Sequence, residues 1–180
     1  MRRLLLLLFA LTLAACGGGG GGGGGPTEPP PPPPPTPGIV FTAASAPAVN
    51  SLYLASGSAT TASTLILEVR ANQVTDLYGV AFDLAYPAAQ LQFTRATAGP
   101  LLSNGSVQAV TSSTGTLIVG GTHLGSTPGA NGSGVVMTLE FSAVGAGTGS
   151  FAFSRNSALD STGKPVAGIS WVAGSVTVTR

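Results

Sequence analysis

One thiol and one imidazole, Cys16 and His123, stand among the 180 residues of the chain. These are the side chains best suited to nucleophilic attack, proton transfer near neutrality or soft-metal ligation. A zinc site needs three or four such ligands, and no second histidine or cysteine exists to complete one. The carboxylates Glu68, Asp76, Asp83, Glu140 and Asp160 are scattered without the spacing of a calcium loop. Asp160 with Gly163 reads as a turn, and no serine sits in a Gly-x-Ser-x-Gly elbow. His123 lies in Gly120-Gly121-Thr122-His123-Leu124-Gly125, at a strand end, where a solvated or structural histidine is the expectation. No catalytic residue, metal or cofactor is predicted, and the chain does not read as an enzyme.

Cys16 carries a different chemistry. Met1-Arg2-Arg3 forms a basic head, followed by an apolar run from Leu4 to Ala15 broken only by Thr12. As a helix that run would span about 18 Å, short of the roughly 30 Å bilayer core. Such a segment is a secretory signal, not a membrane span. It closes in Leu13-Ala14-Ala15-Cys16, which resembles the bacterial lipobox. That resemblance implies a diacylglyceryl group on the thiol, cleavage before Cys16 and acylation of the freed amine. Several acyl chains, at about 0.8 kcal/mol per buried methylene, hold a protein on a membrane where one would not. Lipidation also accounts for an unpaired cysteine in an exported chain. Gly17 follows in place of Asp, which in the enterobacterial sorting pattern favours the outer membrane. Residues 1–15 are therefore expected to be a signal peptide, and the protein to sit at the bacterial cell envelope.

Residues 16–37 hold the lipid-bearing cysteine and a low-complexity linker. Gly17 to Gly25 is unbroken glycine, and Pro29 to Pro35 unbroken proline. Glycine has too much backbone freedom to lose, and proline cannot donate to a ladder, so neither run can build a core. The glycines are expected to form a coil of roughly 15–18 Å, and the prolines a stiff rod of about 22 Å.

Residues 38–180 have the composition of one globular domain. Its cations Arg70, Arg95, Arg155, Lys164 and Arg180 balance Glu68, Asp76, Asp83, Glu140 and Asp160. No clustered basic face is available for nucleic acid. Apolar residues recur with period two: Tyr78, Val80, Phe82, Leu84 and Tyr86 on one face, Gly79, Ala81, Asp83 and Ala85 on the other. Leu65, Leu67 and Val69 alternate in the same way with Ile66, Glu68 and Arg70. Further strands are predicted over residues 51–55, 107–112, 116–122, 135–144, 150–154 and 172–179, with one helical turn near 87–90. Turn formers separate them, as in Ser103-Asn104-Gly105 and Asp160-Ser161-Thr162-Gly163. The fold class is all-β, a sandwich or jelly roll.

The stretch Asn72 to Tyr86, followed by Leu91-Gln92-Phe93, resembles the third-strand region of cohesin domains. Gly129 to Phe141 is similar to that family's glycine loop and long strand. Ser157 to Gly163 and Gly174 to Val178 resemble its last two strands, and the matches follow in order from about Ser51 to Thr179. The resemblance implies a jelly-roll sandwich of about nine strands, related to carbohydrate-binding modules, and a role in binding dockerin modules. Positions where dockerin-binding cohesins often carry Asn and Asp fall on Gly79 and Ala81, and Tyr86-Pro87-Ala88 replaces the usual Tyr-Asp-Pro.

The leading expectation is a non-catalytic, lipid-anchored interaction module. It would hold a dockerin-like or other envelope protein on the face of Gly79, Ala81, Asp83 and Ala85. An alternative is polysaccharide binding through Tyr53 and Trp171, the best candidates for exposure, although core placement is the first expectation for Trp171. A third is a structural accessory of an envelope or secretion assembly.

Overall fold

A computed structural model describes residues 36–180; Cys16, the signal segment and most of the linker lie outside them. Twelve strands run through the described residues. They are β1 (Gly38–Ala43), β2 (Ser51–Ser56), β3 (Thr64–Leu77), β4 (Gly79–Ala85), β5 (Leu91–Ala98) and β6 (Gly105–Ser113). After these come β7 (Thr116–His123), β8 (Ala130–Ala143), β9 (Gly147–Ser150), β10 (Ala152–Leu159), β11 (Ser170–Val172) and β12 (Gly174–Thr179). A five-stranded sheet has the order β11-β2-β3-β8-β5, a four-stranded sheet β10-β4-β7-β6, and a three-stranded sheet β1-β12-β9.

Alternation explains the layering. Leu65, Leu67 and Val69 of β3 and Met137, Leu139 and Phe141 of β8 point inward from the five-stranded sheet and are fully buried. Val80, Phe82 and Leu84 of β4 and Leu117 and Val119 of β7 point inward from the four-stranded sheet. Val176 and Val178 of β12 join the same apolar cluster. Aromatic contacts knit the sheets together. Tyr86 lies 5.3 Å from Phe141, and Phe141 5.8 Å from Phe151, which in turn meets Phe41 at 6.0 Å.

The described architecture is the predicted all-β sandwich, with three differences. The segment 150–154, predicted as one strand, divides at Phe151. β9 pairs with β12, whereas β10 pairs with β4 in another sheet. Phe151 is buried at the switch, its N–H bonded to the Gly174 carbonyl at 2.8 Å. The segment 172–179 divides likewise at Ala173, where the chain leaves a parallel pairing with β2 for an antiparallel one with β1. Gly174 is required there: a Cβ would lie 2.4 Å from the Thr42 carbonyl oxygen and 2.5 Å from the Phe41 ring. Strands β1 and β5 add to the predicted set. Around 87–90 the chain makes a single turn, with the Gln90 and Leu91 amides donating to the Pro87 carbonyl. A 3-10 turn at Pro100–Leu102, not predicted, buries Leu102.

Candidate docking face

The pairing registers place the outward side chains of the four-stranded sheet in rows. The row Leu159, Gly79, Thr122, Ser106 is followed by Ser157, Ala81, Gly120, Gln108, and then by Ser154, Asp83, Ile118, Val110. Strands stand about 4.8 Å apart and successive rows about 6.7 Å. At the crossing of the first two rows the side chains shrink to hydrogen or methyl, leaving a groove of ≈ 470 Å³. Its floor includes Gly79, Ala81 and Gly120. A Cβ added at Gly120 would meet nothing within 4 Å. Leu124 and Leu159, 55% and 37% exposed, line it, and exposed Ile118 and Val110 stand in the next row. An apolar recess with exposed aliphatic side chains at its border is a surface that a partner's apolar side chain can fill.

The residues singled out from the alternation of β4 all fall on this outer face. Gly79 and Ala81 meet in the groove, and Ala85 lies two rows beyond Ala81, past Asp83. Asp83 is outward yet only 7% exposed, because Arg155 covers it. Arg155 Nε donates to Asp83 Oδ2 at 2.6 Å, and Nη2 donates to the same oxygen. The arginine reaches there through a β-bulge: the β10–β4 register shifts between Ser154 and Ser157. Arg155 itself adopts a left-handed backbone, φ 49°. Bulges bend a strand and re-aim the side chain at the extra residue.

Several groove residues were not legible as such. Gly120, Thr122 and Gln108 belong to predicted strands and Ser106 falls just before one, but only the strand order sets them beside β4. A signal for the bulge exists in retrospect. Phe153 and Ala158 both face inward across an odd spacing of five residues, and alternation admits that only if one residue is extra.

Tyr53 and Trp171 do not form a binding strip. Trp171 is registered against buried Leu52 and packs inside, 5.1 Å from Phe153 and 5.6 Å from Phe82. Tyr53 is half-buried on the opposite face, registered against Arg70. These contacts give Trp171 the core placement expected of it, and the polysaccharide-stacking alternative loses its second aromatic. His123 is buried at 8% exposure, not solvated, with its ring 5.6 Å from Tyr78. Neither of its ring nitrogens has a hydrogen-bond partner. Among the described residues no group of three or more His, Cys, Asp or Glu could hold a metal ion.

The turn after β10 adjoins the groove at Leu159. Asp160 Oδ1 accepts hydrogen bonds from the Lys164 amide at 2.9 Å and from the Thr162 amide and hydroxyl at 2.9 and 2.8 Å. These, the Lys164 amide foremost, hold its carboxyl below the usual carboxylate range. A carboxyl that titrates lower when folded contributes stability above its unfolded value of about 3.9 and loses it as pH falls through the folded value. Acidification below about pH 4 is therefore expected to loosen this turn, read by NMR as a lower protection factor of the Lys164 amide, the exchange rate of an open chain at the same pH relative to its own. An amide equally protected in Asp160→Asn and wild type would refute it.

The family model described as "Cohesin domain" matches residues 52–178. Among solved structures, type II cohesin A11 from Bacteroides cellulosolvens is 16% identical, with a TM-score of 0.61 over 72% of this chain and 99% of that one. A type II cohesin from Acetivibrio cellulolyticus, in a cohesin–X-dockerin complex, is 18% identical with a TM-score of 0.57 over 67% of this chain and 93% of that one. A non-cellulosomal cohesin from the archaeon Archaeoglobus fulgidus is 15% identical, with a TM-score of 0.53 over 75% of this chain and 87% of that one. No curated protein matches the sequence.

Proposed function

The chain belongs to the cohesin domain family, and from that premise we propose that it is a non-catalytic protein-binding module held at the bacterial cell envelope by lipid on Cys16. Its partner is a dockerin-like module, docked on the outer face of β10-β4-β7-β6. The observation that carries the docking role is the groove over Gly79, Ala81 and Gly120, lined by exposed Leu124 and Leu159, with exposed Ile118 and Val110 in the next row of the sheet. Its conformation is set by paired strands, so little entropy is lost there when a partner binds. The anchor rests on the lipobox-like Leu13-Ala14-Ala15-Cys16 and the linker behind it. The linker supplies reach, so that the module can meet a partner clear of the lipid head groups.

Calorimetric titration of the protein with each dockerin-like module encoded by the producing organism tests the docking role. At least one module is expected to bind, competitively with substitution on the groove face. Failure of every module, or binding indifferent to that face, would overturn it. Metabolic labelling with a radioactive fatty acid tests the anchor separately. Wild type is expected to carry label and Cys16→Ser none; equal labelling of both would exclude the thiol as the lipid site.

A further inference from the structure

On the reading of this face as a docking surface, we infer that Arg155 makes it select an acidic partner. The four strands β10, β4, β7 and β6 carry two formal charges between them, Arg155 and Asp83. They are not presented equally. The Asp83 side chain is 10% exposed and the Arg155 side chain 74% exposed. A docking protein therefore meets the cation, with the carboxylate screened beneath it.

The local geometry holds the cation in place. Asp83 takes both the Nε and Nη2 hydrogen bonds on a single oxygen, Oδ2, leaving Nη1 without any side-chain partner on the face. A guanidinium keeps its charge at every physiological pH, and its fork accepts a carboxylate in two-point contact. One edge of the fork is taken by Asp83, and the other is free for a second carboxylate. The left-handed backbone at Arg155 is uncommon for a residue other than glycine and is strained, so it persists only where surrounding contacts over-determine it. The bulge and the Asp83 contact provide that, and together they deliver the guanidinium onto the sheet face.

Asp83 shares a row with exposed Ile118 and borders the row of Ala81 and Gly120. The carboxylate that holds Arg155 is thus about one strand spacing from Ile118 and one row from the groove floor. The partner that fits has an aliphatic stripe to fill the groove and an Asp or Glu beside it to meet Arg155. A Lys or Arg at that place would be repelled, which gives discrimination more than raw affinity.

A phage-displayed library of two-helix scaffolds, randomised on the exposed positions of one helix, tests this against the purified protein. Clones are sorted by whether Gly120→Trp abolishes their binding. Groove-dependent clones are expected to be enriched in Asp or Glu beside an aliphatic stripe. Their affinity should fall about 10-fold on Arg155→Gln, and the fall should vanish when the clone's own acid is replaced by Gln. Added salt should weaken wild-type binding, whereas with Arg155→Gln, which uncovers the Asp83 carboxylate, it should leave binding unchanged or strengthen it. If Arg155→Gln does not fold, as judged by its melting transition, the enrichment against wild type decides alone. Groove-dependent clones with neutral or basic residues at that place would overturn the Arg155 assignment and leave the docking face standing. A selection yielding no groove-dependent clone would overturn the docking face itself.

Discussion

Gly120→Trp leaves the fold intact and weakens partner binding at least about 100-fold, a loss near 2.7 kcal/mol. The position is suited to the test because the sheet has open space there: nothing lies within 4 Å of the Cβ direction. Glycine inside a strand is itself unfavourable by roughly 0.5–1 kcal/mol, and an aromatic replacement raises strand propensity. The melting temperature is therefore expected to hold or rise slightly. The new indole fills the recess over Ala81 and Gly120 that a docking side chain would enter, and it adds no charge, so the Arg155–Asp83 pair is undisturbed. Isothermal titration with a bound dockerin-like module, together with a thermal melt, reads both effects. Unchanged affinity in a folded variant would remove the groove from the interface.

Phe141→Ala is expected to destabilise the domain by about 3–5 kcal/mol, the range for deleting a fully buried phenylalanine. Phe141 has no exposed surface. Its ring meets Tyr86 at 5.3 Å, Phe93 at 5.6 Å and Phe151 at 5.8 Å. These partners come from the end of β4, from β5 and from the crossover between β9 and β10, so relaxation around the cavity would have to move three separately held elements. A protein of ordinary stability has only about 5–15 kcal/mol to lose. Urea denaturation should show a lower midpoint with little change in slope. A loss below about 1 kcal/mol would mean that the neighbouring rings collapse into the space.

The strands that could be read from the chain are those with sustained alternation. β4 is the clearest, since Val80, Phe82 and Leu84 all point inward as their spacing requires. The breaks at Phe151 and Ala173 could not be read. Each is one residue without a turn former, and the choice of sheet on either side rests on hydrogen bonds to distant strands. The lone histidine shows the same limit. Its position at the end of β7 was plain, but its burial depends on Tyr78, which is supplied by another part of the chain. Trp171 was ambiguous for a similar reason: alternation in a three-residue strand cannot say which face is inside, and Leu52 and Phe153 decide it.

By itself the sequence determined the sheet-rich class of residues 38–180, their balanced sparse charge and the small outward side chains of β4. All of these follow from local composition and period two. Its lipobox-like start also supplies the proposal of an anchor at Cys16. Only the tertiary structure decided that Gly120, Gln108 and Ser157 complete a groove with Ala81, and that Asp83 is hidden beneath Arg155. Those placements depend on strand order and on a one-residue shift in register, and they bring together side chains as far apart as residues 83 and 155. Strand alternation tells each residue which face of its own sheet it occupies, and only the pairing of strands determines what stands beside it.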